Sequence, residues 1–239
     1  ARGVTAACLL ELCRRARPRL AILGRTPLLG EPETVADVPD SGLRQALVAA
    51  ARAAGETPTP AQVAAEERRL LAAREVRRNL AALEDGGATV RYLEVDVRDR
   101  VAAAEALPAV RAAWGPVHAL VHGAGVIADR LLVDTGDDSF ERVFTTKVEG
   151  LRALLEATAG DPLRVICLFS SVAGRTGNIG QGSYAMANEI LAKVAASERR
   201  RRGAGCLVKV VDWGPWQGGM VTPDLAARFA ARQVSLIPL

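Results

Sequence analysis

Residues 168–191, LFSSVAGRTGNIGQGSYAMANEIL, commit the chain to one local geometry: an apolar strand that gives out into glycines, then a helix. With residues 163–169 as the strand and a helix from Gln181 onward, Tyr184 and Asn188 stand four residues apart on one helix face and can address one bound molecule. Ser171 lies at the strand's carboxyl end, thirteen residues before Tyr184. Ligands of open α/β sheets bind outside such strand ends, so the stretch predicts a hydroxyl and a phenol meeting over a cleft.

A phenol with a pKa of about 10 is a poor acid at neutral pH until a nearby cation favours its ionised form. Lys147 is the candidate, in a chain whose other lysines are Lys193 and Lys209 and whose other tyrosine is Tyr92. The set Lys147, Ser171, Tyr184 and Asn188, with SSVAG and GNxGQxxYAxAN around it, resembles the active site of the short-chain dehydrogenase/reductase superfamily. The general superfamily pattern is Tyr-x-x-x-Lys. Here Asn188 stands four after the tyrosine and the lysine stands upstream, the exchange typical of polyketide synthase ketoreductases.

The 239 residues, 49% of them hydrophobic, suffice for one core, and we expect a single domain over 1–239. Apolar strands alternate with helical patterns, which predicts an α/β, Rossmann-like, doubly wound parallel sheet. Net charge is +4, from 31 basic and 27 acidic residues spread along helices, so it reads as a solvated face and not as a nucleic-acid surface. No run of 18 apolar residues and no signal peptide is present, which predicts a cytoplasmic protein without a membrane span. Cys8, Cys13, Cys167 and Cys206 sit in apolar segments without metal spacing and read as reduced core thiols. His118 and His122 bracket a strand with no carboxylate pattern beside them and read as packed residues; no metal site is expected.

Along the chain, residues 1–16 begin as a loop and become a helix with Val4, Ala7, Cys8 and Leu12 on one face. Ala1-Arg2-Gly3 resembles the second half of the superfamily's TGxxxGxG loop, with Thr5 at the last glycine position. The resemblance therefore places the fold's first strand before this chain and its last strand after it. Backbone N–H groups there would face a pyrophosphate. Residues 19–24 are the second strand, followed by Arg25 in place of the acid that holds a free ribose 2′-hydroxyl. Arg2 resembles the second basic position of NADP-preferring members, and the two arginines together favour NADPH. Residues 28–84 form a helical insertion, with helices over 43–54 and 61–83 and turns at Pro39-Asp40-Ser41-Gly42 and Thr57-Pro58-Thr59-Pro60. This text resembles the insertion in ketoreductases of polyunsaturated fatty acid synthases.

Residues 89–95 are the third strand, and Asp96-Val97 at its end resembles the family's adenine contact. A helix over 98–114 and a strand over 117–121 lead to His122-Gly123-Ala124-Gly125, where the family carries Asn-Ala-Ala-Gly or His-Ala-Ala-Gly and the backbone approaches the cofactor. One helix over 137–158 bears Lys147, with Asp137 and Asp138 favourable at its start. Residues 207–211 are a strand, Trp213-Gly214-Pro215-Trp216 resembles the segment beside the nicotinamide, and 216–221 would lead into a substrate lid.

The resemblance implies NADPH-dependent reduction of a β-ketoacyl thioester carried on the phosphopantetheine of an acyl carrier protein, among the other domains of one multidomain synthase. In it, Tyr184 is the proton donor, Ser171 bonds the ketone oxygen, Lys147 lowers the phenol pKa and holds the nicotinamide ribose, and Asn188 orders the helix or a water relay. The loop marking product hand reads Ile127-Ala128-Asp129, keeping the last Asp of Leu-Asp-Asp, and Thr176 replaces the Trp of L-forming enzymes. Both features imply a D-3-hydroxyacyl product. The alternatives are a free-standing dehydrogenase acting on a small alcohol or sugar and an inactive structural domain of a synthase; the long insertion and the intact residue set, respectively, weigh against them.

Overall fold

A computed structural model describes residues 2–218, 221, 223–231 and 233–238. Ala1 of the expected phosphate loop and residues 219 and 220 of the expected lid stretch lie outside the described residues. The chain divides into two compact units, one of residues 1–2 and 6–94, the other of residues 3–5 and 95–239.

The first unit contains most of helix α1 (Gly3–Ala16), then strand β1 (Arg19–Gly24), helices α2 (Glu33–Ala36), α3 (Leu43–Ala53) and α4 (Pro60–Asp85), and strand β2 (Thr89–Glu94). β1 and β2 pair in parallel, Arg19 opposite Thr89 through Gly24 opposite Glu94. A parallel pair needs a long crossover, and the three helices between the strands supply it. α4 starts where Thr59 and Gln62 form a capping box ahead of Pro60, two devices that satisfy or dispense with free N–H groups at a helix start. Its buried stripe is Val63, Leu70, Ala73, Val76 and Leu83. Leu70 joins Val35 and Leu43 in one apolar cluster, and Leu83 joins Leu9, Cys13, Ile22 and Ala88 in another. Each fully buried leucine contributes about 1.5–3 kcal/mol. For α1 the expected face is corrected: Ala6, Leu9 and Cys13 are buried, whereas Leu12 is 41% exposed. Both stripes of this helix are apolar, and the contact of Leu9 and Cys13 with Ile22 and Leu83 selects between them.

Polar links hold α2 and the following turn to α4. The Arg74 guanidinium donates to Glu31 (2.7 Å), to Asp40 (3.0 Å) and to the carbonyls of Val35 (2.8 Å) and Val38 (2.7 Å). Arg77 donates to Glu31 at 2.9 Å.

In the second unit, strands β3 (Ala119–His122), β4 (Val165–Ser171) and β5 (Leu207–Trp213) form a parallel sheet in the order β3-β4-β5. Helices α5 (Arg100–Trp114), α6 (Asp137–Phe144), α7 (Gly150–Ala157), α8 (Ala173–Thr176), α9 (Gly182–Arg202) and α10 (Pro223–Ala231) connect and follow them. β4 is the central strand, with Ile166, Leu168, Phe169 and Ser170 all buried. β3 starts two residues later than the sequence suggests, because Val117 N–H donates to the Asp161 carboxylate (3.1 Å) instead of to a ladder. The single helix expected over 137–158 is interrupted: α6 and α7 are separated by a π-helical turn, Thr145–Glu149, which carries Lys147. No helix among the described residues is long and apolar enough to cross a membrane.

Candidate active site

Ser171 is the last residue of β4, and its Oγ accepts from Ala173 N–H at 3.2 Å, which fixes the side chain at the start of the loop. Gln181 precedes α9, so Tyr184 lies in its first turn and Asn188 in its second. Asn188 is fully buried; its Nδ2 donates to the Tyr184 carbonyl at 2.8 Å, and its backbone carbonyl accepts from Ser170 Oγ at 3.3 Å. The first bond is internal to α9 and fixes the Asn188 side chain; the second ties α9 to the end of β4. Asn188 Oδ1 is buried without a partner among the described residues.

Lys147, 3% exposed, donates from Nζ to the Phe169 carbonyl at 3.0 Å and lies 5.5 Å from the Tyr184 ring centroid. Burial lowers its pKa to about 8, so it remains mostly charged at neutral pH. Tyr184 departs from expectation: its pKa is raised, chiefly by burial, although hydrogen bonding with Asn188 and Ser171 pulls it down and the Asp129 charge raises it further. The Lys147 ammonium, bonded to the Phe169 carbonyl and 5.5 Å from the ring centroid, does not offset that desolvation. The phenol is thus fully protonated at neutral pH, the form a proton donor needs. All four expected catalytic residues therefore meet in one place.

Asp129 joins them from another loop. Its carboxylate accepts from Gln181 Nε2 at 2.9 Å, Gln181 Oε1 accepts from Asn178 Nδ2 at 3.1 Å, and Arg130 N–H donates to the Gly180 carbonyl at 2.8 Å. The 129–130 segment is thereby tied beside the loop that leads into α9. Gln181, which the sequence marks as the start of the helix, is thus also the link to Asp129.

His122, which closes β3, is buried and donates from Nε2 to the Lys147 backbone carbonyl at 2.9 Å. Burial, then the Lys147 charge, lowers its pKa to about 4. The unfolded chain binds a proton near pH 6.5 and the folded chain only near 4, so stability present above pH 6.5 is lost as pH falls through that window. The loss amounts to about 3 kcal/mol, one pKa unit being worth about 1.4 kcal/mol. Thermal unfolding between pH 7 and 4 should show this fall in wild type and a shallower one in His122→Gln; equal slopes would mean that the ring is not desolvated.

The residues expected at a cofactor fall in both units. In the first, Arg25 follows β1 and is exposed, and Arg2 forms an ion pair with Glu75 at 2.6 Å, which a phosphate would have to displace. In the second, Gly3 opens α1 with φ 50, the helix start has no side-chain cap, and its first turn holds no acidic residue. Uncapped N–H groups at the positive end of a helix suit the pyrophosphate of a dinucleotide, so the α1 start fits that group. Asp96 accepts from the Arg98 backbone N–H (3.0 Å) and guanidinium (2.6 Å). A carboxylate has lone pairs to spare for a further donor. Val97 packs on Gly150. Gly123, followed by Ala124 and Gly125, is in close contact with Thr5, and a Cβ at Gly123 would collide with that side chain. The Pro215 carbonyl accepts from Ile237 N–H at 2.9 Å, and Trp213 contacts both Phe169 (5.6 Å) and Trp216 (5.1 Å) edge-on.

The sequence profile of the KR domain family matches residues 3–218. The chain is 38% identical over its whole length to a polyunsaturated fatty acid synthase polypeptide of Thraustochytrium sp., and it spans 9% of that polypeptide. Among solved structures it is similar to the ketoreductase from the first module of phoslactomycin biosynthesis in Streptomyces sp. HK803, with 27% identity, TM-score 0.70, and coverage of 99% of this chain and 45% of that one. It also resembles in fold carveol dehydrogenase from Mycobacterium avium in complex with NAD, with 18% identity, TM-score 0.67, and coverage of 98% of this chain and 74% of that one. The α/β, Rossmann-like fold of short-chain dehydrogenases is thus the fold of this chain.

Proposed function

The chain belongs to the KR domain family, and we propose that it reduces the β-keto group of an acyl chain held as a thioester on the phosphopantetheine of an acyl carrier protein. The reduction would take place within a multidomain polyketide or polyunsaturated fatty acid synthase. The observation that carries this reading is the convergence of Ser171, Tyr184, Asn188 and Lys147 at the carboxyl end of β4.

NADPH, when bound, supplies the hydride that adds to the ketone carbon. Tyr184 donates its hydroxyl proton to the ketone oxygen, where negative charge would otherwise develop. Ser171 hydrogen-bonds the same oxygen and orients it. Lys147, charged at neutral pH, favours the phenolate that Tyr184 becomes, and its other donor positions hold the nicotinamide ribose. Asn188 fixes the helix turn that carries Tyr184. Gly3 at the α1 start would face the pyrophosphate, with Gly123, Ala124, Gly125, Val97 and Pro215 lining the backbone path. Asp96 would hold the adenine. Arg25 and, once released from Glu75, Arg2 would read the 2′-phosphate. Asp129, held by Gln181, would set the side from which the acyl chain enters and so direct formation of the D-3-hydroxyacyl thioester.

The test supplies the intact protein with a β-ketoacyl thioester of pantetheine and either NADPH or NADH, then resolves the product on a chiral phase. Oxidation of NADPH in preference to NADH, with D product, is the expected result. No oxidation would overturn the reading, equal use of NADH would remove the two arginines from it, and a mainly L product would remove Asp129.

A further inference from the structure

We propose that His122 is a positioning residue for Lys147: through its bond to the Lys147 backbone carbonyl, it holds the π-helical turn that directs the ammonium to Tyr184. A π turn is wider than an α turn and appears mostly as a single insertion in a helix, so its backbone gains from an outside partner. Here the turn Thr145–Glu149 receives one from a buried imidazole 25 residues earlier in the chain. Because a carbonyl can only accept, the ring must carry its proton on Nε2, which leaves Nδ1 bare and without a partner among the described residues.

The two ends of the lysine are held by neighbouring strands. His122 of β3 takes the backbone, and the Phe169 carbonyl of β4 takes Nζ at 3.0 Å. His122 stands opposite Leu168 in the β3–β4 register, one residue from Phe169, so the anchors share one rigid piece of sheet. Space for the ring is equally specific. A Cβ at Gly150 would lie 3.0 Å from Val97 Cγ2, which would have to give way, and 3.6 Å from His122 Cε1, in ordinary contact with a ring that already fills the space beside the π turn.

The inference rests on Lys147 serving the proposed reduction, and its test separates the two. In the intact protein, His122→Phe removes the donor while keeping a ring, and His122→Gln offers an amide N–H in its place. His122→Phe should lower kcat at least about tenfold with little change in KM for the β-ketoacyl thioester, and shift the alkaline limb of the kcat profile; His122→Gln should restore most of both. Carbon NMR of lysine-labelled protein reads the same anchor without turnover. Among the signals of Lys147, Lys193 and Lys209, one should titrate at about 8 in wild type and in His122→Gln and move in His122→Phe.

Wild-type kcat and alkaline limb in His122→Phe, or equal impairment in His122→Gln, would overturn the inference. If His122→Phe does not fold, nitrogen NMR of wild type decides: a protonated Nε2 and bare Nδ1 support the anchor, and the opposite tautomer removes it. A wild type that turned over no β-ketoacyl thioester would overturn the reduction reading, with the lysine and histidine spectra still judging the anchor.

Discussion

Tyr184→Phe is expected to lower kcat for β-ketoacyl reduction by about 10²–10⁴-fold, the range in which a positioned general acid contributes. The ring would still pack against Lys147, which lies 5.5 Å from its centroid, and the backbone carbonyl that receives Asn188 Nδ2 would be unchanged. The variant should therefore fold as wild type does and bind NADPH with similar affinity, measured by quenching of tryptophan emission. Ser171→Ala should be milder, because in the proposed reduction Ser171 would only bond the developing oxyanion, whereas the phenol would supply the proton. Near wild-type turnover in Tyr184→Phe would assign the proton to water or to another side chain.

Arg74→Met should produce a large loss of stability, about 3 kcal/mol, because it leaves a part-buried carboxylate and two carbonyls short of a donor. The Arg74 side chain is 10% exposed and Glu31 is 13% exposed. Methionine fills similar volume but leaves the Glu31 carboxylate and two backbone carbonyls short of a donor. The same carboxylate is held well below its ordinary pKa, by its hydrogen bond to Arg74 first. Hydrogen exchange across residues 31–83 reads the effect where it arises, since Val35, Leu43 and Leu70 form the apolar cluster beneath this network. Protection factors within about tenfold of wild type would show that Arg77, which also donates to Glu31, suffices by itself.

Much of the architecture was readable in the chain itself. Residues 19–24 form a strand over the range expected, and the helices predicted over 43–54 and 61–83 appear as Leu43–Ala53 and Pro60–Asp85. Apolar periodicity, the Thr59 capping box and flanking glycines are local signals, each decided within a few residues. The spacing of Ser171, Tyr184 and Asn188 was legible for the same reason: a strand end and one helix face are set by the residues that lie on them.

What required the tertiary structure involves partners far apart in the chain. Composition leaves both stripes of α1 apolar, and only packing against Ile22 and Leu83 buries Leu9 and Cys13. A helical pattern over 137–158 does not reveal the π turn at Lys147, whose carbonyl also accepts a bond from His122 on β3. Nor could sequence reveal that burial would raise the Tyr184 pKa, since that depends on how much water the residues packed around the phenol exclude. The sequence by itself determined which chemical groups stand at the end of β4 and in what order, because backbone geometry makes spacing local. Only the tertiary structure decided their protonation and aim, because desolvation and long-range hydrogen bonds depend on residues the local pattern does not contain.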